Sequence, residues 1–321
     1  MFTDLPEEAL RRWQSRLRRP DDFDAFWATT LSDAREHGLG LAVHEHPTGL
    51  ATIRVQDVSF RGFGGDTIRA WLRTPAAASR PLPTVVQFVG YGGGRGHAED
   101  ALFWASAGFA HLHMDTRGQG AMWSPGSTAD PEGSGPAVPG FTTRGIEAPE
   151  TAYYRRLVVD AVRAVDAAAA LELVDSERIA VLGFSQGGYL ALATAALQPR
   201  VATAFAFVPF MCDVARAITI TDREPYREIG RYLATHPDRE PAAMRTLSYL
   251  DGVNFARGAR VPISFSTALM DATCPPSTVF AAHNAYAGPK SIRVWRYNAH
   301  EGGGLLDERA ALARLHELWG R

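Results

Sequence analysis

The chain has 321 residues, of which 46% are hydrophobic and 21% charged, and its formal net charge is −2. This balance is typical of a soluble globular protein and does not favour nucleic acid or an anionic membrane as a partner. Two cysteines provide no disulfide framework. The first eight residues lack the pattern of a signal peptide, and no apolar run approaches the roughly 20 residues of a membrane span. We therefore expect a cytoplasmic protein.

The N-terminal region predicts helix followed by an antiparallel hairpin. Residues 5–37 carry apolar side chains at helical spacing, with Pro6 near the start. Residues 51–60 and 66–75 alternate apolar and polar side chains around the glycine-rich turn 62–65, which is the signature of a hairpin.

From residue 84 onward, strands and helices alternate. A buried strand at 84–89 is followed by a glycine-rich loop, a helix predicted from about His97 to Ala107, and a strand at 111–115. This alternation predicts an α/β fold whose sheet is mainly parallel, with helices on both faces.

We predict a single domain over residues 1–321, in which residues 1–50 form a helical extension. Residues 116–150 are rich in Gly and Pro and have little periodicity. Such a loop inside a compact domain usually covers a site or forms an interface, so we interpret it as an active-site loop. Residues 211–258 predict short helices that form a cap or an interface.

Ser185 lies in the segment Gly183-Phe184-Ser185-Gln186-Gly187, between the apolar strand 178–182 and the apolar helix 189–197. A G-x-S-x-G at a strand-to-helix turn is the nucleophile elbow of α/β-hydrolases. Glycines flank the serine because the turn is strained and leaves no room for a Cβ. An ordinary glycine-rich turn is the alternative, and suitable partners downstream decide against it.

Two residues downstream could complete a catalytic triad with Ser185. Asp271 follows the strand 261–266, and His300 follows the strand 292–297, so both would lie at the carboxyl edge of a parallel sheet. The order Ser, Asp, His is that of α/β-hydrolases. His300 would remove the serine proton, and Asp271 would fix the imidazole tautomer.

Acyl transfer also needs hydrogen-bond donors for the oxyanion of the tetrahedral intermediate. The natural pair consists of the backbone N–H of Gln186 and that of Tyr91, in the loop after strand 84–89. The glycine run 92–94 matches neither a dinucleotide-binding fingerprint nor a P-loop. His111 and His113 alternate on one strand, but no cysteine or carboxylate cluster accompanies them, so we predict no metal site.

Short motifs extend over nearly the whole chain: Arg117-Gly118-Gln119, Gly183-x-Ser185-Gln186-Gly187-Gly188, His300-Glu301, the turn 271–280, and the segments 22–27 and 246–251. Together they resemble the acetyl xylan esterase / cephalosporin C deacetylase family, carbohydrate esterase family 7 of the α/β-hydrolase superfamily. The resemblance implies the Ser185–His300–Asp271 triad, the Tyr91 and Gln186 oxyanion donors, and no cofactor.

The resemblance also implies substrates, assembly and supporting residues. It implies removal of acetyl groups from small acetylated sugars and cephalosporin-type esters, and a homo-oligomer that is a hexamer, a trimer of dimers. Gln119 and Glu301 would support the site through their motifs. Arg117 either binds a substrate oxygen or forms a structural ion pair with Asp115 or a carboxylate of the loop 116–150, and we favour the ion pair.

The chain departs from the family around the oxyanion loop. Val89 stands where the family usually has a histidine, three glycines and Arg95 follow Tyr91, and Met122-Trp123 replaces more polar residues. We predict a substrate pocket formed by four side chains: Tyr91, Phe210, Met211 and Trp123. Phe210 and Met211 could equally be ordinary core.

The sequence therefore predicts a serine carboxylesterase that removes acetyl groups from small O-acetylated substrates through an acetyl-enzyme. The alternatives are a general short-chain esterase, an acyltransferase or a peptidase on the same fold. A non-catalytic, ligand-binding protein is a further alternative, although such proteins normally lose a triad residue or an oxyanion donor, and this chain keeps them all.

Overall fold

The structure, a computed structural model, describes residues 1–2, 4–132 and 135–320. In this part of the chain all nine strands join one sheet: β1 (Ala42–Glu45), β2 (Ile53–Arg61), β3 (Thr67–Pro75), β4 (Leu82–Phe88), β5 (Ala110–Met114), β6 (Val174–Phe184), β7 (Val201–Phe207), β8 (Ile263–Ala268) and β9 (Lys290–Trp295).

The α-helices of the described residues follow the chain in this order: α1 (Glu7–Arg12), α2 (Phe23–Glu36), α3 (Phe103–Ser106), α4 (Tyr153–Ala169), α5 (Gln186–Leu197), α6 (Val214–Ile220), α7 (Tyr226–Thr235), α8 (Glu240–Leu250), α9 (Gly252–Gly258), α10 (Pro276–Ala285) and α11 (Leu305–Trp319). None of them is long and apolar enough to cross a membrane.

The strands run across the sheet in the order β1-β2-β3-β5-β4-β6-β7-β8-β9. The pairs β1–β2, β2–β3 and β3–β5 are antiparallel, and every pair from β5 through β4 to β9 is parallel. The predicted hairpin is therefore the pair β2–β3. Because the other strands are parallel, their carboxyl ends all meet at one edge, where ligands bind in open α/β sheets.

Helices cover both faces of the sheet. Successive strand side chains point to opposite faces, so Val86 and Val181 pack in one core cluster with α4 and α5. Val85 and Leu182 pack in a second cluster with α3 and α11. Strands buried on both faces need continuous apolar runs, which is why β4 and β6 lack alternation. This is the predicted α/β-hydrolase fold.

Residues 5–37 do not form continuous helix. After α1 the chain forms no helix until α2 begins at Phe23, so the prediction is corrected over residues 13–22. The backbone carbonyl of Leu17 accepts a hydrogen bond from Arg257 at 2.8 Å, and that of Trp13 accepts one from Asn284 at 2.8 Å. These contacts with distant side chains replace the hydrogen bonds that a helix would supply.

The helix predicted from His97 to Ala107 is only the single turn α3. The carbonyls of His97 and Ala98 accept hydrogen bonds from the buried Arg73 guanidinium, each at 2.9 Å. Ala101 has a φ of 50°, which is outside the right-handed helical region. The hydrogen bonds from Arg73 thus keep the segment before α3 non-helical, and the helix begins only at Phe103.

The two predicted insertions differ in structure. The described residues of 116–150 contain no helix or strand, as expected for an irregular loop. Residues 211–258 contain the short helices α6 to α9. Both insertions lie between a strand and the next major helix or strand, so both reach the carboxyl edge of the sheet.

Candidate active site

Ser185 occupies the sharp turn between β6 and α5. Its φ of 55° and ψ of −118° are strained for a residue with a side chain. The backbone holds this conformation on both sides: the Ser185 N–H donates to the Phe207 carbonyl at 2.9 Å, and its carbonyl accepts from the Phe210 N–H at 3.0 Å. The turn therefore projects the hydroxyl beyond the edge of the sheet, as expected of a nucleophile elbow.

The glycines around Ser185 are required by close backbone packing. A Cβ on Gly183 would lie 2.4 Å from the carbonyl carbon of Gly187. A Cβ on Gly187 would lie 2.2 Å from the carbonyl oxygen of Phe88 at the end of β4. Any side chain at these positions would push α5 away from β4 and β6, and Ser185 would move with it.

The structure brings Ser185, His300 and Asp271 together. His300 Nε2 lies 3.0 Å from Ser185 Oγ, and His300 Nδ1 lies 2.9 Å from Asp271 Oδ2. Asp271 is fully buried, while one third of the His300 side chain is exposed. The hydroxyl, imidazole and carboxylate thus form a continuous hydrogen-bonded chain with the geometry of a catalytic triad.

Backbone amides fix the Asp271 carboxylate. Its Oδ1 accepts from the N–H groups of Thr273 and Cys274, at 2.8 and 2.9 Å, so Oδ2 is left for His300. One ligand atom from each of Cys274, Asp271 and His300 lies within 4.8 Å of the other two, a spacing that could also hold a metal ion. However, burial raises the pKa of the Cys274 thiol well above its usual value, which disfavours the thiolate that a metal would need. This donor set suits proton transfer better than metal binding.

The two predicted oxyanion donors lie beside Ser185. Gln186 opens α5, where the first N–H groups of a helix have no intrahelical acceptor. Tyr91 follows β4 and lines the same cleft as Ser185. Within the described residues, neither backbone N–H has a hydrogen-bond acceptor. Both are available to an oxyanion that forms at the cleft.

A buried glutamine pair supports both donors. Gln119 Oε1 accepts from the Gly92 N–H at 2.6 Å, and Gln119 Nε2 donates to Gln186 Oε1 at 3.0 Å. Gln186 Nε2 in turn donates to the Val89 carbonyl at 3.2 Å. The loop is therefore supported through its backbone on both sides of Tyr91, with no need of a histidine at position 89.

Ser185 opens onto a cleft of about 760 Å³. Its wall is largely apolar, and its polar groups come from the Ser185 turn, the turn after β8, α7 and the turn before it, and the loop that carries His300. The lining residues are Gly90, Tyr91, Met122, Trp123, Pro139, Gly140, Phe141, Phe184, Ser185, Glu224, Pro225, Glu228, Arg231, Thr273, His300 and Glu301. A mostly apolar cleft with a few polar groups is the usual form of a small-molecule site.

The predicted pocket residues divide into two groups. Tyr91 and Trp123 line the cleft, but Phe210 and Met211 do not. Both of the latter are fully buried in the main core, where the Phe210 ring packs 4.5 Å from that of Tyr226. The prediction for Phe210 and Met211 is corrected: the chain turns back into the core directly after β7, so these side chains face inward.

Glu228 is the main site residue that sequence reasoning missed. Its Oε1 accepts a hydrogen bond from the Tyr91 hydroxyl, and its Oε2 accepts from the Thr142 N–H at 3.0 Å and from the Thr142 hydroxyl at 2.7 Å. The Phe141 N–H donates to Tyr91 Oη at 2.7 Å. Burial, together with the Glu228 carboxylate, raises the pKa of the Tyr91 phenol far above its usual range, so the phenol remains a donor.

A weak sequence signal for Glu228 existed. Tyr226, Ile229 and Tyr232 are buried at three-residue intervals along α7, and Glu228 stands beside them. A glutamate on the buried side of an amphipathic helix requires a partner. The sequence could not show that the partners lie on two loops far away in the chain.

Arg117 is fully buried and does not line the cleft. Its guanidinium forms a bidentate pair with the buried Asp160 of α4 at 2.5 and 2.8 Å, and it contacts Asp66 and Asp130. Burial opposes the charge, but these carboxylates raise the pKa of Arg117 well above its usual value. The favoured ion-pair interpretation agrees with this arrangement in part: Asp130 is the loop carboxylate, but the bidentate partner Asp160 lies on α4 and Asp115 is not a partner.

Two further predicted features lie at and beside the site. Glu301 lines the cleft, and its Oε1 accepts from the Ala299 N–H at 3.1 Å within the loop that carries His300. His111 Nε2 pairs with Gln87 Oε1 at 2.9 Å, and the His111 and His113 rings stack in the core. No third metal-ligating side chain joins these histidines among the described residues.

Known proteins resemble this chain along nearly its whole length. The family model "Acetyl xylan esterase (AXE1)" matches residues 1–317. The acetyl xylan esterase from Paenibacillus sp. R4 has a TM-score of 0.91 and 36% identity, over 98% of this chain and 99% of that chain. Acetyl xylan esterase 1 from Thermoanaerobacterium sp. JW/SL YS485 has a TM-score of 0.89 and 30% identity, over 98% and 99% of the two chains.

A curated relative is longer than this chain. Acetyl esterase Axe7A from Xylanibacter ruminicola is 28% identical over 294 residues, which are 88% of this chain and 64% of that protein. The chain thus spans just under two thirds of this relative's length.

Proposed function

We propose that this chain, which belongs to the acetyl xylan esterase family, is a serine carboxylic ester hydrolase that removes acetyl groups from small O-acetylated substrates. The observation that carries the proposal is the hydrogen-bonded chain from Ser185 through His300 to Asp271, which opens onto a cleft. The family supports acetyl as the acyl group.

The reaction begins with attack by Ser185 Oγ on the acetyl carbonyl carbon. His300 Nε2 accepts the hydroxyl proton as the bond forms, and the resulting imidazolium is stabilised by Asp271 across 2.9 Å. The same proton then passes to the departing alkoxide, and an acetyl-enzyme remains. Water attacks this ester with His300 again as the base, which releases acetate and restores the serine.

The tetrahedral intermediates place a negative charge on the former carbonyl oxygen. The backbone N–H groups of Tyr91 and Gln186 would bind it, the second with help from the positive end of the α5 dipole. Loss of one such donor typically costs about 10²–10³ in turnover. The Gln119–Gln186 pair and the Glu228–Tyr91 contact hold the two donors in place before the substrate arrives.

The finer substrate class follows from the relatives. Two solved relatives are described as acetyl xylan esterases and a curated one as an acetyl esterase. We therefore expect acetylated xylo-oligosaccharides to be substrates, and cephalosporin C-like acetyl esters to be accepted through the same chemistry.

Hydrolysis of p-nitrophenyl acetate, butyrate and octanoate tests this proposal. We expect kcat/KM to fall steeply from acetate to octanoate, and Ser185→Ala to abolish hydrolysis of all three. If Ser185→Ala kept near wild-type activity, the serine mechanism would be refuted. Equal or faster hydrolysis of the longer esters would instead indicate a general esterase.

A further inference from the structure

The loop after β4 and the segment 122–126 lie against each other as two paired stretches of backbone. The Met122 N–H donates to the Gly92 carbonyl at 3.2 Å, and the Gly94 N–H donates to the Ser124 carbonyl at 3.0 Å. A Cβ on Gly94 would lie 2.2 Å from the Gly126 Cα. The glycines at 92–94 therefore leave the space in which the segment 122–126 packs against the oxyanion loop.

This pairing places the Trp123 indole at the mouth of the cleft. Its Nε1–H donates to the Tyr91 carbonyl at 2.8 Å, and a Cβ on Gly93 would lie 2.3 Å from Trp123 Cζ2. Although one edge of the ring is held in this way, 63% of the residue is exposed. A large aromatic side chain that is fixed in position and open to solvent is suited to cover the face of a ligand.

Charged groups border the same cleft. Glu224 and Arg231 form an ion pair at 2.7 Å, with about half of each side chain exposed. Both residues line the cleft together with Trp123. Half-exposed charges of this kind exchange hydrogen bonds with a ligand at little cost, because they are never fully desolvated.

An aromatic face combined with exposed charged groups matches the chemistry of a pyranose ring. One face of such a ring carries C–H groups that pack on an indole, while its hydroxyls require donors and acceptors around the edge. An acyclic leaving group has no such face. A flat aromatic leaving group without hydroxyls could not hydrogen-bond the charged side chains.

We propose that Trp123 is a specificity-determining residue that stacks on the sugar ring of the leaving group, while Arg231 donates hydrogen bonds to hydroxyl or acyl oxygens on the ring and Glu224 accepts them from free hydroxyls. The inference rests on the proposed acetyl esterase function, and it adds the part of the substrate that is recognised. The acetyl group is bound by the oxyanion donors, and the ring is bound by the indole.

The experiment compares kcat/KM for tetra-O-acetyl-xylopyranose with that for glycerol triacetate, which has acetyl esters but no ring. We expect Trp123→Ala to lower the ratio of the two values about 3- to 10-fold, the usual worth of an aromatic contact. We expect Trp123→Phe to keep most of the ratio. Tyr297→Ala is the control, because Tyr297 is 72% exposed and does not line the cleft.

A second variant displaces the Trp123 indole without substituting the tryptophan. Gly93→Ala introduces the Cβ that collides with Trp123 Cζ2, so the ring must move away from the cleft wall. We expect Gly93→Ala to lower the same ratio as Trp123→Ala does. In the Trp123→Ala background, the glycine substitution should have no further effect on the ratio, as expected for two changes that act through one contact.

Each outcome decides one question. An unchanged ratio in Trp123→Ala, or an equal loss on both substrates, overturns the ring-stacking proposal and leaves the esterase function intact. Phenyl acetate is the third substrate. If Trp123→Ala lowers kcat/KM for phenyl acetate while the value for the pyranose stays unchanged, the Trp123 indole binds flat aromatic leaving groups and the proposal fails. If the native protein hydrolyses none of the three esters, the proposed function itself fails.

Discussion

Gln119 links the two residues whose backbone N–H groups we assign to the oxyanion. One end of its amide accepts from the Gly92 N–H next to Tyr91, and the other end donates to the Gln186 side chain and to the Tyr153 hydroxyl. All of these groups are buried, so each hydrogen bond that is lost leaves an unsatisfied polar atom. The glutamine is a positioning residue, because it acts on the oxyanion donors through their neighbours.

Gln119→Glu tests this role. The carboxylate still accepts from the Gly92 N–H, but it cannot donate to Gln186 Oε1, and the two oxygens repel. We expect kcat for p-nitrophenyl acetate to fall about 10- to 100-fold with little change in KM, because a misplaced oxyanion donor should cost less than the roughly 10²–10³ that a lost donor costs. The exposed Gln14→Glu is the matched control, and an unchanged kcat would contradict the assignment.

His113 makes the stability of the fold depend on pH. Burial, with the cations Arg73 and Arg95 nearby, lowers its pKa from 6.5 to about 3. In the unfolded chain the imidazole binds a proton near pH 6.5. Between these two values the unfolded state therefore holds more protons at His113 than the folded state, and the contribution of His113 to the free energy of unfolding falls as the pH falls.

Urea unfolding at several pH values checks this effect. We expect the free energy of unfolding to decrease between pH 6.5 and pH 4.5, and His113→Leu to flatten the decrease because no proton is taken up at that position on unfolding. The exposed His44→Leu serves as the control and should keep the native slope. If the slopes of His113→Leu and the native protein were the same, the neutral buried histidine would not be the cause.

Helix α7 is joined to two loops by a single carboxylate. Glu228 holds the Tyr91 hydroxyl with one oxygen and the backbone at Phe141 and Thr142 with the other. The packing is so close that a Cβ on Gly140 would lie 2.2 Å from the Glu228 carboxyl group. The helical insertion thus fixes both the oxyanion loop and part of the cleft wall.

Glu228→Gln removes one acceptor from this contact and changes little else in shape. The new amide NH₂ must face either the Tyr91 hydroxyl or the N–H groups of residues 141 and 142, so one donor loses its partner. We expect kcat for p-nitrophenyl acetate to fall about tenfold, and further in Glu228→Ala, because the Tyr91 N–H is less well placed. Glu240→Gln, on the exposed start of α8, is the control; equal rates in both variants would show that α7 does not position the oxyanion loop.

A buried ion-pair network connects segments from across the molecule. Arg117 and Asp160 are both fully buried, and Asp130 joins them to Arg156 at 2.9 Å. The network ties the loop 116–150 to α4 and, through Asp66, to the turn of the β2–β3 hairpin. Breaking one side of such a network leaves an uncompensated buried charge.

Arg117→Gln should therefore cost about 3–5 kcal/mol in the free energy of unfolding, measured by urea titration. Arg12→Gln removes an arginine from an exposed pair with Glu8 and should leave the unfolding midpoint unchanged. A comparably small effect of both substitutions would show that the buried network does not hold the loop in place.

The expected homo-oligomer stays a prediction. Light scattering checks it, because the measured particle mass can be compared with the mass of one chain, 34.9 kDa.

Much of the site could be predicted because its signals are local. The apolar run of β6, the glycines around Ser185 and the apolar helix α5 are adjacent in the chain, and their geometry follows from the strain of one turn. Asp271 and His300 could be placed because each follows a strand, and parallel strands end at the same edge.

The remaining features depend on residues that are distant in the chain. The segment 13–22 has a helical pattern but is not helical, because Arg257 and Asn284 bind its backbone carbonyls. Glu228 acquires its role from Tyr91 and Thr142, more than 80 residues earlier, and Phe210 faces the core because the chain turns inward after β7. Local patterns report the conformational preference of a few neighbouring residues, whereas these contacts arise only when the folded chain brings remote side chains together. The fold class and the meeting of Ser185, His300 and Asp271 could therefore be predicted from the sequence, while the support of the oxyanion loop and the wall of the cleft could be seen only in the folded structure.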